Sequence, residues 1–589
     1  MSREIKYEIV IDGKAIVHFN SLTIRQAFNS HHVFELVVDQ DTLQEPGAHT
    51  ILDARDYIGN FLTVCFGDKD ADDNVFKGLI TEVSMLQEEG LWGNIMLKGY
   101  SPTWLMESGA HHTSFEDITL KKALEEAMKD VAGNDMEVIA KPAFAGAIPY
   151  VCQYGESRFS FINRLACEYG EWFFYDGYKL YLGKPASPEN TDLIYGEHIS
   201  RMSFSMKMVP STISHYSYHS KDDNVMTGNL PGQVDSGSYT RKALETSDSF
   251  YRNPVSQPVK TRVSTQSDLD RYAKIHKKKF AASAVILEGE GDCPKIKVGH
   301  MVTVKVSKKG LGIGYEDHGE YTVTSLVHHL SGTGAYSNSF EAIPSDNEVM
   351  PFNAEKPLAE SQIAFVKDNN DPDGLGRVRV QMLWQQAENK TTDWIRVMSP
   401  DAGASDKVGT NRGFVFIPEV GDQVVVSFRY NDPDRPFVLG SMFHGKNASG
   451  GGDGNNVKSL TTKSGCTVTL DDAKESVTIS DPGGSTIVLN GDGSMTISAP
   501  DKIDIQSKEI NIVAEKQVSI EGKNKVEVGS QEVAIDGTTK TTVNSSSKVE
   551  IGAASVEVEG KAQLKLQSAM VDMDGTAMTN VKGGLLNLN

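Results

Sequence analysis

Three histidine doublets, His31-His32, His111-His112 and His328-His329, carry the side chains in this sequence most ready to do chemistry. Imidazoles bind zinc and move protons near neutral pH, so paired histidines invite a metal-site reading. A zinc site needs HExxH-type spacing or accompanying cysteine pairs, and none of the doublets has either. They are expected in loops or at strand ends. The stretch "DNNDPDG", Asp368 to Gly374, sets out carboxylates as a calcium loop would, but Pro372 interrupts the ligand positions and no downstream bidentate Glu follows. A turn is expected there. Glycines at Gly310 to Gly314 and Gly450 to Gly452 lack the strand-to-helix context and the Lys-Ser/Thr of a phosphate cradle, and no G-x-S-x-G elbow occurs. Trp384 and Trp394 have the chemistry to stack on sugars or bases, yet no basic groove accompanies them in the sequence, so they are expected as barrel-core or trimer-contact aromatics. Cys65, Cys152, Cys167, Cys293 and Cys466 are odd in number and without CxxC spacing, which predicts free buried thiols. No catalytic residue, metal site or cofactor is expected, and the chain reads as a protein that is not an enzyme.

What the sequence does supply is repetition. From Ile503 onward an apolar-x-apolar pair recurs, its first members at 503, 510, 518, 526, 533, 541, 549, 556, 564, 571, 578 and 586, every step seven or eight. A strand alternates its side chains between two faces, so both members of a pair point one way. A helix would need apolar residues at i, i+3, i+4 and i+7, which these positions do not provide. The expected core is Ile503, Ile505, Ile510, Ile512, Val518, Ile520, Val526, Val528, Val533, Ile535, Val543, Val549, Ile551, Val556, Val558, Leu564, Leu566, Val571 and Met573. One such strand cannot bury its own face, so the core must come from stacking, either of coils of one chain or of several chains. Three repeats make about 23 residues, roughly one coil of a single-chain β-helix or one circuit of a three-chain prism. Residues 446–589 contain no Phe, Tyr, Trp, His or Arg, which favours a narrow aliphatic interior. At about 4.8 Å per repeat the regular shaft would run on the order of 60 Å.

The whole chain has 589 residues, 39% hydrophobic and 23% charged, with net charge -21. The prior is three or four domains. The acidity argues against nucleic acid and anionic membrane surfaces as partners, because both need clustered cations. The start, MSREIKYEIV, lacks the apolar run of a signal peptide, and no stretch reaches the roughly 20 apolar residues that span a bilayer, so synthesis and folding in the cytoplasm are expected.

Residues 1–355 mix strand patterns, such as Phe61 to Phe66, Ile95 to Leu97 and Met301 to Val306, with three helices. Leu120, Ala123, Leu124, Ala127, Met128 and Val131 form one helical stripe, capped by Thr119 and stopped at Gly133. Phe161, Ile162, Leu165, Ala166 and Tyr169 form a second, between Ser157 and Gly170, and a third helix is expected over Ser267 to Ala282. Asp222 to Gln257, poor in apolar residues, is expected to be an extended surface excursion. Residues 356–446 alternate short strands with turn chemistry and suggest a barrel of the oligonucleotide/oligosaccharide-binding (OB) type. A Gly/Asn linker, 447–459, leads to a β lead-in over 460–500 and the needle over 501–589.

"QYGESRFSFINRLACEYGEWFFYDG" (Gln153 to Gly177), "DPDGLGRVRVQMLW" (Asp371 to Trp384), "VGDQVVVSFRYNDPDRPFVLGSMFHG" (Val420 to Gly445) and "SGCTVTLDD" (Ser464 to Asp472) resemble, in order, the signature stretches of VgrG. VgrG is the spike of bacterial type VI secretion systems and is similar to the hub and spike of contractile phage tails. The resemblance implies a mainly β chain with an α+β hub of barrel subdomains over 1–355, an OB barrel, and a trimeric intertwined β-helix, or β-prism, needle. It implies a homotrimer that docks on the hexameric Hcp tube, contacts baseplate proteins, and carries a PAAR-type tip or effector at Leu585, Leu586 and Leu588, touching a target membrane only in passing. The 14 residues between Gly445 and Leu460 leave no room for the lysozyme of some phage relatives, and the chain stops right after the last repeat, as a bare spike would. Position 158 is Arg where the family pattern suggests an acidic residue. The spike of a phage tail or extracellular injection particle is the alternative, and a monomeric β-helix enzyme on acidic polysaccharide, which would want Arg, His and aromatics along its groove, the remote one.

Overall fold

Alternation of buried and more exposed residues along Val33–Asp39, Asn94–Tyr100 and all but the last residue of Phe61–Gly67 is the mark of strands with one face on a core. The computed structural model of the protein describes residues 3–588 apart from 44–50, 52–53, 69–72, 87–92, 130, 132–135, 211, 229–231, 233, 235–236, 308–313 and 449. The expected helix stop Gly133 and the glycines Gly310 and Gly312 lie outside the described residues. Two compact units result, residues 1–449 and 450–589, and each is described by itself.

In the first unit a ladder runs from Lys6–Ile11 through Phe61–Gly67, Asn74–Leu86, Asn94–Tyr100, Val33–Asp39 and Ser21–Ala27 to Tyr315–Ser331 and Ala335–Pro344. It then closes on itself, because Arg3 pairs with Tyr336. A second ladder uses the other half of the same long hairpin: Asn190–Ile194, Met301–Ser307, Tyr315–Ser331, Ala335–Pro344, Val285–Gly291 and Ile199–Met206, returning to its start where Tyr195 bridges Ile199. Tyr315–Ser331 pairs with Met301–Ser307 at one end and Ser21–Ala27 at the other, with a register shift between Val323 and Ser325. A bulge bends and twists a strand, so one hairpin here serves two barrels. Each barrel has its own core, one with Phe34, Leu36 and Phe76, the other with Trp172, Val304 and Phe340.

The helices follow their caps. Thr119 accepts from the Lys122 amide ahead of Leu120–Met128, and Ser157 from the Ser160 amide ahead of Arg158–Tyr169, whose end is set by Gly170 at φ 73°. Arg158 takes the first helical position. The third helix, Gln266–Ser283, opens with a reciprocal Thr265–Asp268 capping box. The segment from Asp222 is not the extended excursion expected, since it holds the helix Ser238–Phe250. Its inner stripe is Thr240, Ala243, Leu244 and Ser247, helically spaced but half hydroxyl, so hydropathy hid it.

Residues 362–441 build a small barrel. Arg379–Met382, Gln362–Asp368, Gln423–Phe428 and Pro436–Ser441 form a four-stranded antiparallel sheet, and the segment around Ile395 and Val397 bridges its two edges through Val378 and Val438. Ala364, Val366, Val380, Val424 and Val426 fill it. The second unit opens with five consecutive antiparallel strands from Val457–Thr461 to Met495–Ser498. Residues 501–588 then run extended with bends at repeat boundaries and no ladder within the chain among the described residues. Among the described residues no helix is long and apolar enough to cross a membrane.

Candidate assembly interface

The helix of the first quoted signature and the Asn431–Asp434 turn of the third meet where the hub packs on the OB barrel. Arg164, 1% exposed, lies among Phe161, Ile162 and Leu165, where a lone cation would be strongly unfavourable. It is answered by Glu156, whose two oxygens accept at 2.8 and 2.9 Å, by the Cys152 carbonyl at 2.7 Å, and by Glu168 and Asp434 at 3.7 Å. Asp434 also accepts from the Cys152 amide at 2.7 Å. Lys356 sits 3.0, 3.3 and 3.4 Å from Asp432, Asp434 and Glu168. Burial opposes its charge, but those three carboxylates outweigh it and hold the ammonium above its ordinary value. Asp432, buried beside Asp434, is pushed up to about 6. Gln385 donating to Ser114 at 2.7 Å and the chain Trp384 to Gln362 to Tyr154 add neutral bonds across the junction. Arg164→Met strands buried carboxylates and is expected to cost about 3–5 kcal/mol, read as a lower urea midpoint of tryptophan fluorescence. Lys356→Met, whose side chain is less completely buried than that of Arg164, is expected to cost less.

The three histidine doublets take different places: His31 and His32 lie in a loop between two strands and His111 and His112 open a strand, as expected, while His328 and His329 are split by strand alternation. His328 and His329 lie in the last few alternating residues before the strand Tyr315–Ser331 ends, so one faces the core and the other outward. Gln26 joins His328 to His32, with His328 Nε2 3.1 Å from Gln26 Oε1 and Gln26 Nε2 3.1 Å from His32 Nδ1, while Tyr336 OH sits 2.7 Å from His328 Nδ1. His31 contacts Thr103 at 2.8 Å and Glu107 at 3.1 Å, and His111 and His112 lie on His111–Ile118. Among the described residues no three His, Cys, Asp or Glu converge as metal ligands. Asp371 anchors its turn by accepting from the amides of Asp373, Leu375 and Arg377 and from the Arg377 guanidinium. The cysteines are free, but only Cys152, Cys167 and Cys293 are buried; Cys65 is half-buried and Cys466 exposed beside a tight turn. Trp394 is half-buried with cations around it, contrary to the reading that no basic groove accompanies it.

The second unit presents two apolar surfaces that one chain leaves open. Across its five strands Leu460, Val468, Ile479, Ile487 and Ile497 align in register as one row. Leu470, Val477, Leu489 and Met495 form a parallel row on the same face. In the repeat, Ile503 and Ile505 are 51% and 72% exposed, Val526 and Val528 53% and 73%, Val549 and Ile551 52% and 74%. The same environment therefore returns every 23 residues. Ion pairs keep that step, Lys502–Asp504 at 2.8 Å, Lys525–Glu527 at 2.5 Å and Lys548–Glu550 at 2.8 Å. Leu585, Leu586 and Leu588 are exposed at the far end of the repeat. Contiguous exposed apolar surface of this kind marks an interaction surface. The regular extended backbone, without internal ladder bonds, leaves its donors and acceptors to be met from outside the chain.

Comparison with known proteins agrees with the geometry. The family described as the phage tail baseplate hub matches residues 33–334, more than half the chain, and the type VI secretion system/phage-baseplate injector OB domain matches residues 362–443. The type VI secretion system spike protein VgrG1a of Pseudomonas aeruginosa is 22% identical over 63% of this chain and 59% of its own length. Spike protein VgrG5 of the same organism is 30% identical over 27% of this chain and 22% of its own length. The chain thus spans less than two thirds of these relatives. The Francisella PdpA-VgrG complex in its half-lidded form shares the fold, with TM-score 0.53 at 8% identity, over 85% of this chain and 88% of that one.

Proposed function

The chain belongs to the family of phage tail baseplate hubs and type VI secretion VgrG spikes, and from that premise we propose that it works as a homotrimeric puncturing spike. The observation that carries this reading is the open aliphatic repeat: a chain that displays Ile503 to Met573 to water, with unpaired backbone, is complete only among copies of itself. Three chains, each supplying one strand to each side of a prism, bury both members of every pair and pair the backbone between chains. The work is mechanical. Opening such a shaft breaks many ladder bonds together, and an acidic, aromatic-free exterior passes a bilayer without adhering.

Two barrels per hub, sharing one hairpin, give three chains six similar modules, which suits a hexameric Hcp ring. The hub end faces that tube and the baseplate; the end at Leu585, Leu586 and Leu588 takes a PAAR-type tip or an effector. The trimer assembles in the cytoplasm and leaves through the contractile apparatus. Light scattering on the purified chain is expected to give three times 64.3 kDa. A clean monomer would overturn the reading. Deleting Gly583 to Asn589 is expected to preserve trimers and abolish capture of a tip protein, so an intact tip complex with the truncated chain would refute the assignment of that end.

A further inference from the structure

A cleft of about 610 Å³ opens between the hub residues Tyr218–Lys221 and Arg262–Ser264 and the OB barrel. Its size is that of ligand pockets, roughly 300–1,000 Å³. Six cations line it, Lys221, Arg262, Arg377, Arg396, Arg429 and Arg435, against two carboxylates, Asp393 and Asp434, in a chain of net charge -21. Four of the six are engaged locally. Lys221 binds both oxygens of Asp373 at 3.1 and 3.0 Å, Arg377 bonds Asp371 and Asp373, Arg262 meets Asp393 at 2.5 Å, and Arg435 donates to the carbonyls of Val259 and Thr261. Arg429 and Arg396 are not so matched. Arg429 reaches one carbonyl, Tyr218 O at 3.4 Å, and lies over the Tyr218 and Tyr430 rings at 5.7 and 5.3 Å, with no carboxylate partner among the described residues. The exposed Arg396 guanidinium makes no hydrogen bond or ion pair among them.

The backbone displays these groups deliberately. Ile395 and Val397 point into the barrel core, so Trp394, Arg396 and Met398 stand on the opposite face of an extended segment, about 6.8 Å apart. Next to Arg429, Tyr430 holds φ 58°, a conformation costly for a bulky residue and concentrated at ligand sites. We propose that this cleft binds an acidic peptide segment of a partner protein, with the Arg396 and Arg429 forks taking its carboxylates and Trp394, Met398 and Tyr218 taking the apolar side chains between them. An extended peptide repeats its side chains at the spacing of the Trp-Arg-Met row, and guanidinium forks match carboxylates two bonds at a time. A phosphate chain would engage the guanidinium forks but leave the apolar Trp394 and Met398 on either side of Arg396 unused, whereas an acidic peptide with alternating apolar residues engages both. The assignment does not depend on the spike reading.

The test is fluorescence anisotropy of a labelled (Glu-Leu)3 peptide titrated with the full-length protein, with (Lys-Leu)3 as control and inorganic phosphate, a dT oligonucleotide and unlabelled peptide as competitors. The expected result is salt-sensitive binding of the acidic peptide alone, weakened about tenfold by Arg396→Glu and further by adding Arg429→Glu. Arg396, exposed and unpaired, changes without loss of fold, which circular dichroism and an unchanged melting temperature verify. Binding unaffected by Arg396→Glu, no binding up to millimolar protein, or displacement by phosphate or dT in preference to peptide would each overturn the proposal. So would self-association that the two substitutions abolish and the peptide leaves untouched, since the occupant would then be a second copy.

Discussion

A chain carrying Val526→Asp, Val533→Asp and Val549→Asp together is expected to run as a 64.3 kDa monomer and to lose its C-terminal unit to protease, where the parent runs as a trimer. These are first members of the repeat pairs, each close to half exposed in one chain and proposed to face the prism axis. In a trimer each substitution brings three carboxylates to one level of a dry aliphatic core. Burying an ion costs several kcal/mol even after relaxation, and like charges at one level add repulsion. Each lost aliphatic removes about 1.5–3 kcal/mol of burial besides. Nine carboxylates in three chains thus exceed what the neighbouring layers can offset. The control carries the same charge on the other face: Ser519→Asp, Ala534→Asp and Thr542→Asp occupy middle positions of their pairs, where Asp504, Glu527, Glu550 and Asp572 already stand. Sedimentation and light scattering on both full-length variants decide the matter. A trimer that tolerates the inward set, or a control that dissociates equally, would show that the pairs do not face a shared core.

How much of this was legible in the sequence depended on the range of the interaction. Local rules carried far: Thr119, Ser157 and Gly170 cap their helices, and period-two alternation placed strands such as Phe61–Gly67. The needle's apolar pairs were plain because their period belongs to the chain itself. What long-range packing decides was not plain. Arg164 carried a signal, a cation on the stripe of Phe161 and Leu165, but nothing local tells that Asp434 and Lys356, far along the chain, answer it. The helix Ser238–Phe250 was missed because Thr240 and Ser247 bury their hydroxyls where hydropathy expects aliphatics. The cationic cleft escaped for a third reason. Its arginines come one at a time from strands and turns between residues 221 and 435, and only the closed OB barrel against the hub brings Arg396, Arg429 and Arg262 to one space. His328-His329 illustrates the converse, where a motif of chemical types dissolves because adjacent strand residues face opposite ways.

The hub is expected to lose stability steeply between pH 6.5 and about 4, through histidines that it holds neutral. His32 and His328, fully buried around Gln26 with Tyr175, Phe66 and Tyr336 against them, are pushed down to about 3 by burial first and neighbouring histidines second. His276 is pushed down to about 4 by burial, His215 and Lys279. The unfolded chain takes up these protons near pH 6.5 and the folded chain does not, so stability is fully present above that value and is lost as the pH falls. Each such group contributes a slope of about 1.4 kcal/mol per pH unit. Asp432 acts with the opposite sign. Its carboxyl, raised to about 6 in the fold, takes a proton before its unfolded counterpart, which adds stability as the pH falls from about 6 to the ordinary carboxylate range. These three histidines against this one carboxyl amount to about 2.7 kcal/mol per unit between them, a large share of a total stability of about 5–15 kcal/mol over a few units. Tryptophan fluorescence reads this part of the chain alone, since residues 446–589 contain no aromatic side chain. Urea midpoints at several pH values should fall accordingly, and His328→Gln, though less stable at neutral pH, should flatten the slope by about 1.4 kcal/mol per unit. An unchanged slope in that variant would mean that His328 titrates alike in the folded and unfolded chains, and that the buried network does not set the acid limit of the hub.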